Sequence, residues 1–120
     1  MIPVRARKQA ELRKRLLMID PQCAITGERF PILLEAAHVV SKANDGADIE
    51  TNAILLRADL HRLFDGGAFR IRKNGAIIIK RRDLPSEYLN LLHGKSIPHE
   101  IFSRIKDALK IDSALKLAKK

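Results

Sequence analysis

Stretches with helical spacing alternate along this chain with short β-rich runs, and the polar breaks between them are sharp. Residues 6–19, ARKQAELRKRLLMI, predict a helix with basic side chains over most of its surface. Asp20-Pro21 ends it, because a residue ahead of proline is pushed out of the helical region. The turn TGERFP feeds the apolar run Ile32 to Val40, which predicts a strand. Residues 41–51 are polar, with Asn44-Asp45 and Gly46, and predict a loop. Ile54 to Leu56 predict a short strand pairing back on the first. Asp59 to Asp65 predict a helix that Gly66-Gly67 terminates. AFRIRKNGAIIIK reads as a hairpin with Asn74-Gly75 at its turn. Helices around 85–92 and 98–111 follow, and the closing ALKLAKK is expected to fray.

Composition narrows what such a chain can be. At 120 residues it predicts one domain, and an apolar fraction of 46% supports a packed core. The formal net charge of +9 is the strongest compositional feature. A basic surface of that size attracts polyanions, and nucleic acid is the commonest such partner for a small domain. Nowhere do eighteen apolar residues run together, and MIPVRARKQ has no apolar core of a signal peptide, so a cytoplasmic protein without membrane contact is expected. Cys23 is the single cysteine, which excludes an internal disulfide and a cysteine zinc ribbon; it reads as a small buried hydrophobe.

The basic residues fall into three groups. Arg5, Arg7, Lys8, Arg13, Lys14 and Arg15 lie on the first helix. Arg70, Arg72, Lys73, Lys80, Arg81 and Arg82 surround the hairpin, and Lys116, Lys119 and Lys120 close the chain. Any one group is usually a solvated face, but three around one candidate site favour phosphate contact. Charge alone does not read bases.

The residues able to do chemistry cluster in one stretch: His38, Asn52, His61 and Asp65. His61 and Asp65 are four apart on the predicted helix and share a face, so an imidazole and a carboxylate are presented together. That pair can ligate a divalent cation, and nitrogen plus oxygen does not choose among Mg²⁺, Mn²⁺ and Zn²⁺. The bland alternative is a histidine and a solvated aspartate near a helix end. His38 ends the first strand, and a hairpin return would set the helix beside it. A base near a bound metal is the arrangement that activates water against a phosphodiester. Asn52 opens the return segment, where a short amide can tie the loop to the strand; taken alone it would be an ordinary turn residue.

With CAITG, LLEAAHVV, Asn52 in TNAILL, and DLHRLFDGGAF, residues 23–69 resemble the HNH endonucleases, the ββα-metal nucleases. The resemblance implies a small α+β domain with a ββα-metal (His-Me finger) core, here with an extra β-hairpin and flanking helices. It implies a metal-dependent DNA endonuclease in which His38 is the general base and Asn52 holds the loop and orients it. His61 would be a metal ligand and Asp65 a further one, with Mg²⁺ the foremost ion and Mn²⁺, Ni²⁺ or Zn²⁺ as alternatives. Cleavage would leave a 5′ phosphate, DNA would be held largely through its phosphates, and two copies could pair. Many members carry an Asp, Glu or His immediately before the base, where this chain has Ala37. Glu35 shares that face of the strand, but its Cα lies roughly 7 Å further back. The expectation is a site completed by water and Glu35, or one that binds metal weakly. A non-catalytic nucleic-acid-binding module that kept the fold is the rival reading. A basic structural protein with core histidines is a third.

Overall fold

The structure is a computed structural model that describes residues 3–118. Helix α1 spans Val4–Ile19 and presents only Leu12 and Leu16 as fully buried residues. The remaining surface is charged, so the helix is held by one narrow apolar stripe and by side-chain hydrogen bonds. Gln9 donates to the carbonyl of Ala36 at 2.6 Å, and Arg13 Nε donates to that of Leu34 at 2.7 Å. Both acceptors lie on strand β1, Leu34–His38, which pairs antiparallel with β2, Ala53–Arg57, from Leu34↔Arg57 to His38↔Ala53. Two-stranded sheets leave open edges, and α1 covers one of them with donors.

Consecutive residues Ala36 and Ala37, and Ile54 through Leu56, are buried, so both faces of this ladder are covered. Helix α2, Ala58–Asp65, follows β2 without a linker, and Leu60 is its buried anchor. Cys23 is fully buried against β2, where its Sγ accepts from the Arg57 N–H at 3.4 Å. The hairpin β3, Phe69–Ile71, and β4, Ile77–Ile79, forms around Asn74-Gly75, and Gly75 takes the positive φ of +89° that the turn requires. Helix α3, Ser86–Leu92, leads to α4, His99–Ala118, which buries Ile101, Ile105, Ala108 and Leu109 at helical spacing. The architecture is α+β, compatible with a ββα core.

Two segments differ from expectation. The run Ile32 to Val40 is strand only from Leu34 to His38. Pro31–Leu33 is a 3₁₀ turn, favoured by proline at its first position and held by Arg13, which also donates to the Pro31 carbonyl. At the other end Asn52 captures the backbone of Val40 before the ladder can continue. The tail does not fray at 114–118: α4 continues to Ala118, with Leu115 packed on the core and Lys116 paired to Asp112 at 2.6 Å. Lys119 and Lys120 lie outside the described residues.

The start of α2 is pinned by charge. Arg57 donates to both oxygens of Asp59 at 2.7 and 2.9 Å, and the Tyr88 hydroxyl donates to Oδ2 at 2.8 Å. These bonds, that from Arg57 foremost, hold the Asp59 carboxyl down at about 2 against an ordinary 3.8. A depressed carboxylate adds stability that is fully present above the unfolded value and is lost as pH falls through the folded one. Between pH 4 and 2 the melting temperature of the wild type should therefore fall more steeply than that of Asp59→Asn. Parallel melting curves over that window would show that Asp59 is not a determinant of acid stability.

Candidate active site

Strand β1 delivers His38 to the surface end of the ladder, and the loop from Val39 to Asn52 folds back over it. Asn52 is 5% exposed and makes three hydrogen bonds. Its Oδ1 accepts from the Val40 N–H at 2.8 Å, and its Nδ2 donates to the carbonyls of Val40 and Ala47, each at 3.0 Å. The amide thus brackets both ends of the loop around a backbone that would otherwise be buried and unpaired. Gly46 closes the same loop and is packed so tightly that an added Cβ would sit 1.8 Å from the Val40 carbonyl oxygen.

The loop brings a residue that no motif points to. Asp48 Oδ1 lies 2.8 Å from His38 Nε2, and Asp48 Oδ2 accepts from Lys42 at 2.9 Å. The hydrogen bonds from Lys42 and then His38 hold the Asp48 carboxyl below its ordinary range. A carboxylate only accepts, so Nε2 carries the proton and the lone pair of the neutral ring is left on Nδ1. An acidic residue inside a polar loop, ten positions from the histidine it serves, has no periodic signature, so only the fold shows it.

Helix α2 presents His61 and Asp65 on one side, as the four-residue spacing requires, with His61 Nε2 3.1 Å from Asp65 Oδ2. The other ring nitrogen, Nδ1, is 2.7 Å from Glu35 Oε1. Glu35 therefore reaches helix α2, not the position of Ala37, which is fully buried. A neutral imidazole has one N–H, so with a carboxylate at each nitrogen either the ring is protonated or a cation lies at one of them. That polarity fits a metal ion shared by His61 Nε2 and Asp65, with Glu35 fixing the ring from behind as carboxylates do behind metal-bound histidines. Among the described residues no group of three or more His, Cys, Asp or Glu is arranged to hold a metal ion. The protein offers two donors, one nitrogen and one oxygen, a set that does not choose among divalent ions and leaves positions for water and phosphate oxygens.

His38, His61 and Asp65 line one open cleft of about 370 Å³ together with Arg5, Gln9 and Lys42. His38 also borders a neighbouring hollow with Arg5 and Lys8. Positive side chains of α1 thus flank the histidines. Other members of the basic groups do structural work instead. Arg13 is bonded to β1 and the turn before it, and Arg15 pairs with Glu50 and donates to the Asp48 carbonyl at 2.9 Å. Removing Arg13 and Arg15 would therefore loosen the fold along with any phosphate contact. His93 and His99 are exposed and lie outside this cleft.

Residues 23–72 match the family model described as HNH endonuclease. No curated protein matches the chain. No described helix is long and apolar enough to cross a membrane.

Proposed function

We propose that the protein, whose residues 23–72 match the HNH endonuclease family model, is a metal-dependent endonuclease that hydrolyses DNA phosphodiester bonds. One observation carries the reading: a histidine braced by a carboxylate, His38 with Asp48, opens into the same cleft as the His61–Asp65 pair. Nδ1 of His38 accepts a proton from water as that water attacks phosphorus, and Asp48 holds the ring and balances the imidazolium that forms. Asn52 acts at one remove, by fixing the loop that carries Asp48. The bond from phosphorus to the 3′ oxygen breaks, that oxygen takes a proton from solvent, and a 5′ phosphate and a 3′ hydroxyl are left. His61 and Asp65 would hold the divalent ion, Mg²⁺ foremost, whose charge stabilises the negative charge developing on the phosphate and leaving oxygen. The surface charge supplies non-specific affinity for the DNA backbone.

The direct test is conversion of supercoiled plasmid to nicked or linear form, with and without Mg²⁺ or Mn²⁺. Metal occupancy is read separately, from melting temperature. A ligand at 100 times its Kd stabilises the native state by about 2.7 kcal/mol. Wild type should show a metal-dependent rise that His61→Ala and Asp65→Ala abolish. Glu35→Gln should weaken the apparent affinity by roughly 10–100-fold without abolishing it, the usual effect of losing a carboxylate behind a metal-bound histidine. Complete loss in Glu35→Gln would make Glu35 a direct ligand. The buried Ala37, standing where many family members carry a ligand, favours the alternative of a non-catalytic nucleic-acid-binding module. DNA binding with no cleavage in any divalent ion would establish that alternative.

A further inference from the structure

We propose that the hairpin carries a second phosphate subsite, formed by Arg70 and Lys80, which takes a backbone phosphate flanking the scissile one. The identity of that ligand as the DNA strand being cut rests on the nuclease reading above; the subsite itself rests on the hairpin. Arg70 is the middle residue of β3, between Phe69 and Ile71, which are both buried in the core. Alternation turns Arg70 to the opposite face. It pairs across the ladder with Ile78, and Lys80, two residues beyond, shares that face. Arg70 and Lys80 line one cleft of about 450 Å³ together with His38 and Asp65. A polynucleotide strand that places one phosphate at His38 can continue along this cleft into the cationic side chains.

A second observation marks Arg70 as built for an anion. Among the described residues, its Nε is the one buried side-chain nitrogen or oxygen without a hydrogen-bond partner. Buried polar groups in folded proteins are almost always paired, so the unpaired Nε marks a guanidinium that no protein acceptor has claimed. Its Nε is closed off from the cleft, so a phosphate would be met by the Nη side of the guanidinium, which carries the same fixed charge. The remaining charged residues of the cleft do not compete. Asp112 accepts from Lys116 at 2.6 Å, so that pair is neutral as a unit, and Asp65 belongs to the His61 end. Lys80 is exposed and adds a point charge beside the fork.

The test uses the full chain and labelled duplex oligonucleotides carrying one neutral methylphosphonate at successive positions. Binding is measured by anisotropy without metal, and cleavage by kcat/KM with Mg²⁺. In wild type one position besides the scissile one should weaken binding on the order of tenfold when neutralised, as for loss of a hydrogen bond to a charged group. In Arg70→Gln and Lys80→Gln that position should lose most of its penalty. Each variant should also lower the slope of log affinity against log salt by about 1. Penalties and slopes that coincide in wild type and both variants would overturn the subsite, whether or not the protein cuts. A wild type that never cuts but keeps an Arg70-dependent penalty would overturn the nuclease reading and leave the subsite standing. Should Arg70→Gln melt too low for use, the exposed Lys80→Gln decides the matter with the same two readouts.

Discussion

Replacing His38 with alanine should slow DNA hydrolysis by roughly 10²–10⁴-fold, the usual worth of a positioned general base. DNA affinity and the metal-dependent rise in melting temperature should stay close to wild type. The separation follows from the site's construction. His38 holds no part of the His61–Asp65 pair, and its side chain bonds Asp48 on the covering loop. Losing that one hydrogen bond to a carboxylate costs roughly 1.5–3 kcal/mol of stability. Asp48→Asn keeps the ring in place through a weaker bond and should lose less activity than His38→Ala. A histidine that merely filled the core would behave differently: melting temperature, binding and cleavage would decline together. Unchanged cleavage in a folded, DNA-binding His38→Ala protein would remove the catalytic assignment.

Gly46→Ala should be the most damaging single-methyl substitution in the covering loop. The added carbon would meet the Val40 carbonyl oxygen at 1.8 Å, the Val40 carbonyl carbon at 2.6 Å and the Ser41 oxygen at 2.8 Å. All are backbone atoms, so no side chain can swing aside. Val40 is also the residue whose N–H and carbonyl are bracketed by Asn52. Relieving the clash therefore means breaking that bracket and displacing Asp48 from His38. Overpacking against immovable atoms costs on the order of 3 kcal/mol, which for a chain of this size lowers the melting temperature by roughly 10 °C. Gly67→Ala is the matched control: its φ is +78°, but the new Cβ would meet nothing within 4 Å. That substitution should cost only the left-handed strain, about 1 kcal/mol. Equal melting temperatures for the two variants would refute the close-packing account of Gly46.

The elements legible in the sequence are those specified by neighbours. Helix α2 is signalled by apolar spacing and a glycine pair, and the hairpin by Asn74-Gly75 between β-rich runs. The order of His38, Asn52 and His61 is likewise legible, since it lies in the chain itself. What escapes is whatever depends on side chains reaching across the fold. Pro31–Leu33 reads as strand until Arg13, on a distant helix, is seen holding the Pro31 carbonyl. Arg13 and Arg15 read as phosphate contacts, yet their donors meet protein acceptors. Glu35 reads as the residue that would complete the site beside Ala37, but its partner is His61, on the helix that packs against the strand. Asp48 carries no sequence signal because its partnership with His38 is created by the loop closure that Asn52 and Gly46 impose. The end of α4 escapes because a polar, lysine-rich tail resembles a disordered one until Leu115 and the Asp112–Lys116 pair are placed.

The guanidinium of Arg104 on α4 donates to the carbonyls of Glu50 and Ala53, both at 3.0 Å, astride Asn52. Gln9 and Arg13 do the same for β1 from the opposite end of the chain. The segment 23–72 is thus clasped by helices that lie wholly outside it. As an engineering part it is not portable: excised for fusion to another DNA-targeting protein, it would arrive without the clasps that keep its strands and covering loop in register. The natural unit for transplantation includes both α1 and α4.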